Sequence, residues 1–182
     1  RKNKTNIKPK NFNKIKDYAI ACLHHNISAQ SYGPGVEKMI INKLGWTKDR
    51  SEDGGDAVSG KDIIEIKFSI ASVEGGTNYV QLRPHYTANK YLLVYYSPEL
   101  DRLEAFYLSK IVIKAAIDMS GGYAHGTVKK QGPITAKSIE ENSYMYAIRP
   151  NVFKEEKVIK FFRENNLLNE EAYKWMKKII LN

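Results

Sequence analysis

Cysteine is nearly absent from this chain of 182 residues, in which Cys22 stands alone. A single cysteine excludes an intramolecular disulfide and a cysteine-rich zinc site, and a reducing compartment is the simplest expectation. No apolar run approaches the roughly 20 residues that a membrane-spanning helix needs, so no membrane association is expected. No secretory signal opens the chain, although Arg1 in place of methionine indicates that the natural start lies upstream. Together these absences predict a cytoplasmic protein.

Acidic residues are fewer than basic ones. The chain has 29 lysines and arginines against 20 aspartates and glutamates, which gives a formal net charge of +9. Such an excess is typical of proteins with a polyanionic partner. The first 16 residues contain no acid. This segment either follows phosphates or forms a solvated arm, and the sequence favours neither interpretation.

The length fits one domain spanning residues 1–182. We expect a basic N-terminal arm over 1–13, a core over 14–118, and a polar loop, a strand and two C-terminal helices over 119–182. Apolar periodicity predicts an α/β fold. A short strand is expected after Trp46, and the second helix is expected to open at Gly33-Pro34-Gly35 and to end at Gly45. The other predicted helices are 14–26, 110–118, 152–164 and 169–181, and the other predicted strands are 63–68, 77–84, 91–96, 103–108 and 143–148. Ser109 is expected to cap the helix 110–118, whose inward face is predicted to be Ile111, Val112, Ala115 and Met119.

Residues 54–69 hold the densest group of residues suited to chemistry. Their second half alternates as a strand, which places Glu65 and Lys67 on one face. If the turn signal Ser59-Gly60 folds this stretch into an antiparallel hairpin, Asp56 comes within reach of Glu65. Two carboxylates beside an ammonium form a site for a hard divalent ion. The same alternation is also typical of the solvated face of a half-buried strand.

A third acid lies on the second helix. At about 100° per residue, the apolar side chains of this helix form one continuous sector, and Glu37 falls inside it, between Leu44 and Ile41. Lys38 and Asn42 lie on the polar side. A buried carboxylate is costly unless a cation or a lysine pairs with it. The alternative is a glutamate at the start of the helix that interacts with the helix dipole.

A helix with Glu37, then a first strand with Asp56 at its end, then a second strand with Glu65 and Lys67 resembles the core of the PD-(D/E)xK nuclease superfamily. Gly55 stands where that superfamily usually has a proline before the aspartate. The resemblance covers roughly the first hundred residues. It implies a restriction-endonuclease-like core, in which a mixed central sheet is flanked by helices, followed here by the C-terminal helices.

The resemblance also implies a reaction. Asp56 and Glu65, with Glu37 directly or through water, would hold one or two Mg²⁺ ions. Lys67 would orient the attacking water and stabilise the negative charge that develops. The reaction would be hydrolysis of double-stranded DNA to a 5′-phosphate and a 3′-hydroxyl. Within the superfamily the chain looks most like a bacterial type II restriction endonuclease, which would act as a homodimer on a palindromic site.

Polar residues in two other segments are suited to contact DNA. Gln81 and Arg83 would share a face of a short strand and can hydrogen-bond to base edges or phosphates. A long loop rich in glycine is suited to the same role through the side chains of His125, Thr127, Lys129 and Lys130. Both segments also fit ordinary surface loops without a role in binding.

Two alternatives remain open. A Holliday-junction resolvase or repair nuclease of the same superfamily would share the metal site but recognise DNA shape. A non-catalytic basic module would bind nucleic acid and use its acids only as structural charges.

Overall fold

The computed structural model describes residues 7–70, 79–120, 123–124, 145–148 and 155–182. The predictions for His125, Thr127, Lys129 and Lys130 lie outside these residues. In the described part of the chain the helices are α1 (Ile15–His24), α2 (Ala29–Leu44), α3 (Lys110–Met119), α4 (Glu155–Glu164) and α5 (Glu170–Leu181), preceded by one short 3-10 helix (Pro9–Asn11). The strands are β1 (Thr47–Lys48), β2 (Ala57–Ser59), β3 (Asp62–Ile70), β4 (Tyr79–Leu82), β5 (Lys90–Ser97), β6 (Arg102–Ser109), β7 (Tyr123–Ala124) and β8 (Tyr146–Ile148).

The central sheet is mixed and has five strands in the order β1-β2-β3-β5-β6. Strand β3 runs parallel to β5, while its pairing with β2 and the pairing of β5 with β6 are antiparallel. A smaller antiparallel sheet has the order β4-β8-β7. The prediction of an α/β fold, with a mixed sheet flanked by helices, is therefore confirmed.

Strand β5 is buried on both faces, which explains its nearly continuous apolar sequence. Leu92, Val94 and Tyr96 pack on the side of α1, α2 and α5. The alternate residues Tyr91 and Leu93 pack on the other side, with α3, α4 and the small sheet. The two faces of the central sheet thus support two separate hydrophobic clusters.

Helix α2 begins at Ala29, so the prediction that Gly33-Pro34-Gly35 opens it is wrong. A side chain on Gly35 would place a Cβ only 2.5 Å from the ring of Pro9 and 2.8 Å from the hydroxyl of Tyr18. The glycine therefore allows close packing in the middle of the helix and does not mark its start. The predicted end is confirmed, since Gly45 adopts a left-handed conformation with φ of 68°.

Helix α3 is rotated relative to its sequence-based prediction. Its buried residues are Ile113, Ala116 and Ile117, whereas Ile111 is 79% exposed. Strand β6 runs directly into the helix, and Ser109 caps it by accepting a hydrogen bond from the amide of Val112. The direction of β6 therefore sets the rotation of α3. The sequence pattern had favoured an inward face made of Ile111, Val112, Ala115 and Met119.

Among the described residues, the helices are too short or too polar to cross a membrane. The segment before α1 contacts the fold, because Ile7 and Phe12 pack against the cluster on the side of α1 and α2.

Candidate active site

Strands β2 and β3 form the predicted antiparallel hairpin, in which Ala57 pairs with Ile64. Asp56 lies just before β2, not at the end of a strand as expected. Its amide donates to the carbonyl of Ile64 at 2.8 Å, and its Oδ2 accepts from the amide of Ile66 at 2.7 Å. The carboxylate of Asp56 is thus fixed beside the middle of β3 by backbone hydrogen bonds.

The turn before Asp56 is held by Asp49. Its Oδ2 accepts from the amide of Gly55 at 2.9 Å, and its Oδ1 accepts from the amide of Ser51 at 3.1 Å. Hydrogen bonds from the side chain and amide of Ser51, and then from Gly55, lower the pKa of Asp49. The carboxylate of Asp49 therefore remains ionised and keeps the turn closed.

Gly55 occupies a position that allows no side chain. A Cβ there would lie 2.5 Å from the carbonyl oxygen of Ile64 and 2.7 Å from its carbonyl carbon. Close approach of the turn to β3 therefore requires glycine, and a proline ring would not fit.

Glu65 and Lys67 lie on one face of β3, as the alternation predicted. The ammonium of Lys67 lies 2.5 Å from Oε1 of Glu65, and Glu65 is only 9% exposed. Ile64, Ile66 and Phe68 are buried on the opposite face. The charged pair is thus held on a strand whose other face is anchored in the core.

Helix α2 brings Glu37 to the same place. Glu37, Asp56, Glu65 and Lys67 all line one cleft of about 600 Å³. Val80, Gln81 and Arg83, from β4 and the residue after it, line this cleft as well. The structure thus brings together three carboxylates and a lysine that lie up to 30 positions apart in the chain.

Burial raises the pKa of each of the three carboxylates of the cleft. Burial, followed by the negative charge of Asp56, raises the pKa of Glu37 to about 7. Burial also raises the pKa values of Asp56 and Glu65, against the opposing effect of Lys67. For Lys67, burial lowers the pKa, but the surrounding carboxylates outweigh it and the net shift is upward. Negative charge on these carboxylates is therefore costly in the cleft, and Lys67 offsets only part of that cost.

Within the described ranges, no three histidine, cysteine, aspartate or glutamate side chains form a ready-made metal-ligand group. The donor chemistry of the cleft nevertheless suits a hard divalent cation. Its carboxylate oxygens are the ligands that Mg²⁺ prefers. The raised pKa values of these carboxyl groups show that their ionised forms are destabilised, and a bound cation would stabilise those forms. Asp56 and Glu65 are the nearest candidates to hold it, with Glu37 beside them.

Gln81 and Arg83, the predicted DNA-contact residues of this segment, both line the cleft, although the local backbone is irregular. Gln81 has a φ of 56°, a left-handed conformation that is uncommon outside glycine. The guanidinium of Arg83 lies 5.3 Å from the ring centre of Tyr86 and donates to the sulfur of Met145 at 3.3 Å. Arg83 is therefore held in place, and its positive charge opposes the rise that burial causes in the pKa values of Asp56 and Glu65.

The sequence did not indicate three other polar residues that line the cleft: Gln30, Ser51 and Glu52. Gln30 was missed because α2 begins earlier than predicted. Ser51 and Glu52 belong to the turn before Gly54-Gly55, and the presence of that glycine pair was the signal that could have indicated them.

Comparison of the chain with protein-family models and with curated proteins gives no match.

Proposed function

We propose that this chain is a Mg²⁺-dependent endonuclease that hydrolyses phosphodiester bonds in double-stranded DNA. The observation that carries the proposal is the shared cleft of Glu37, Asp56, Glu65 and Lys67. These residues come from a helix, a turn and a strand, so their convergence depends on the fold and not on proximity in sequence. Several carboxylates that converge beside a lysine ammonium are typical of sites that hydrolyse phosphate esters with the help of a metal ion.

The element order supports a restriction-endonuclease-like core of the PD-(D/E)xK superfamily. Helix α2 supplies Glu37, the turn before β2 supplies Asp56, and β3 supplies Glu65 and Lys67. Strand β3 joins a mixed sheet through parallel pairing with β5. Gly55 replaces the usual proline because the turn packs directly against β3. The departure from the motif thus has a steric cause that leaves Asp56 in place.

Asp56 and Glu65, with Glu37 directly or through water, would hold one or two Mg²⁺ ions. When bound, Mg²⁺ would lower the pKa of a coordinated water and neutralise negative charge on the scissile phosphate. Burial and the charge of Asp56 raise the pKa of Glu37 to about 7 in the metal-free protein, and a bound Mg²⁺ would lower it and favour the ionised, ligating form.

Lys67 acts as a charged donor and not as a base. Its raised pKa keeps the ammonium protonated at neutral pH, and its ion pair with Glu65 fixes its position. Held there, it orients the attacking water and stabilises the negative charge that develops on the phosphate.

A type II restriction endonuclease is the narrower form of the proposal. Gln81 and Arg83 offer hydrogen-bonding groups suited to base edges on the same cleft as the acids. The enzyme would act as a homodimer on a palindromic site and leave a 5′-phosphate and a 3′-hydroxyl.

The test is digestion of a mapped phage genome with Mg²⁺, followed by sequencing of the ends. We expect discrete bands with 5′-phosphate ends, and loss of cleavage in Asp56→Ala while DNA binding in Ca²⁺ persists. A resolvase or repair nuclease would leave linear duplex intact and cut branched DNA. A non-catalytic module would cut neither, and that result would overturn the proposal.

A further inference from the structure

A second groove lies on helix α2, apart from the cleft. It has a volume of about 680 Å³ and is formed by the segment around the short 3-10 helix and the C-terminal half of α2. Pro9, Phe12 and Met39 contribute its apolar surface. Its charged residues are all cations, namely Lys8, Lys10, Lys38 and Lys43.

The groove is preformed by packing. The absence of a side chain on Gly35 lets Pro9 contact α2 directly. Phe12 packs on the ring of Tyr18 with the ring centres 5.4 Å apart, and Phe12 also contacts the hydrophobic cluster below. The two segments that carry the lysines are therefore fixed relative to each other before any ligand arrives, which reduces the entropy cost of binding.

In the part of the chain that the structure describes, none of the four lysines has a carboxylate within 4.0 Å. Elsewhere on the molecule, Lys16 pairs with Asp101 and Lys174 pairs with Glu170. The groove thus suits a ligand with several anionic groups.

The groove and the cleft share α2. Glu37 lines the cleft and the next residue, Lys38, lines the groove. Lys43 lies six residues beyond Glu37, which is about 9 Å along the helix axis. Duplex DNA carries one charge per about 1.7 Å of its length, so a duplex passing the cleft would bring several phosphates past these lysines.

We propose that this groove binds backbone phosphates of double-stranded DNA that flank the site of cleavage. The choice of duplex DNA as the polyanion rests on the proposed function. The role of the groove is affinity, since phosphate contacts position the protein without reading the sequence.

The experiment compares two double variants that each remove two charges. Lys38→Gln with Lys43→Gln alters the groove, while Lys157→Gln with Lys178→Gln alters exposed lysines on α4 and α5. Binding of a labelled 30-base-pair duplex is measured by fluorescence anisotropy in Ca²⁺, at salt concentrations from 50 to 300 mM. Circular dichroism checks that each variant is folded.

We expect the slope of log affinity against log salt to fall by about 1.8 in the groove variant, and affinity at 100 mM salt to fall roughly 10- to 100-fold. The control variant should keep the parental slope within about 0.5. Lys8→Gln with Lys10→Gln, on the opposite wall, should repeat the groove result.

Equal slopes for the groove and control variants would overturn the inference. So would a groove variant that loses binding to vesicles of anionic lipid but keeps the parental slope on DNA. Cleavage is not part of this readout. If the groove variant flattens the slope but the protein cuts no DNA, the groove stands and the endonuclease proposal fails; if DNA is cut and the slopes coincide, only the groove fails.

Discussion

Among single residues, Gly55 and Asp49 determine where the first carboxylate of the cleft lies. Gly55 lets the turn approach β3, and Asp49 holds that turn through the amides of Ser51 and Gly55. Asp56 then receives the amide of Ile66 on its Oδ2. The position of the carboxylate therefore depends on backbone contacts that tolerate little change.

Gly55→Ala should destabilise the fold by about 1–3 kcal/mol, because the new methyl group would overlap the carbonyl of Ile64. Gly33→Ala is the matched control, since its Cβ would meet only Oε1 of Glu37 at 3.8 Å. Alanine in place of a helical glycine should stabilise α2 by up to about 1 kcal/mol. Urea denaturation measures both changes, and equal effects would contradict this account of the turn.

Glu37 should make the stability of the metal-free protein depend on pH. Its pKa is raised from 4.5 to about 7 in the folded state, so folding favours its protonated form. The contribution is fully present below pH 4.5 and is lost as pH rises through 7. From pH 5 to pH 8 in chelator, the parent should therefore lose up to about 3 kcal/mol relative to Glu37→Gln.

Asp49→Asn provides the control of opposite sign. The pKa of Asp49 is lowered from 3.8, so its contribution is complete above that value and is lost only in more acidic solution. The difference between parent and Asp49→Asn should therefore stay constant from pH 5 to pH 8. A constant difference for Glu37→Gln as well would show that Glu37 is not buried among other acids.

At the level of elements, the end of α4 is tied to the edge strand β6 by Asn166. Its Oδ1 accepts from the amide of Tyr107 at 3.0 Å, and its Nδ2 donates to the carbonyl of Ala105 at 3.1 Å. The same Oδ1 accepts from the amide of Leu168 at 3.2 Å. One side chain thus pairs with two backbone groups on the open edge of the central sheet and holds the turn into α5.

Asn166→Ala should cost about 1–3 kcal/mol, because backbone groups of β6 lose their partners. Its neighbour Asn165 does not bond to β6 in this way: its Nδ2 donates to the carbonyl of Phe161, in the last turn of α4, at 2.8 Å. Asn165→Ala should therefore cost about 1 kcal/mol or less. Thermal or urea unfolding distinguishes the two, and an equal loss would contradict the role assigned to Asn166.

The sequence predicted elements best where the decisive interactions are local. The β2–β3 hairpin could be predicted because its alternation and turn lie within 16 residues, and Ser109 because a cap acts within one turn. The start of α2 was missed because the reason for Gly35 is contact with Pro9 and Tyr18, which lie in earlier segments. The rotation of α3 was missed because β6 sets it.

The same reasoning applies to the cleft. Asp56, Glu65 and Lys67 could be placed together because one hairpin carries them, and Glu37 because its helical phase points inward. Gln30 could not be placed in the cleft from the sequence, because its position depends on how far α2 extends toward the N-terminus. The contact of Arg83 with Tyr86 and Met145 could not be predicted either, because it joins the end of β4 to the start of β8 across the small sheet.

On the scale of the whole molecule, the cleft is built from units on both sheets. Helix α2 and the β2–β3 hairpin belong to the central sheet and its helical layer, while Gln81 and Arg83 belong to β4 and the segment after it. The acids and the lysine are thus on one unit, and the hydrogen-bonding groups that we propose contact DNA are on the other. This division would let the second unit vary with the DNA sequence while the first keeps its chemistry.

The most direct test of the central claim compares Lys67→Met with Lys61→Met in single-turnover cleavage of DNA with Mg²⁺. Both lysines lie on the same hairpin, but Lys61 is exposed in its turn, whereas Lys67 pairs with Glu65 in the cleft. Binding of DNA in Ca²⁺ and circular dichroism confirm that each variant is folded. We predict a loss of at least about 100-fold for Lys67→Met and a rate within about twofold of the parent for Lys61→Met. A Lys67→Met protein that cuts as fast as the parent would contradict the account.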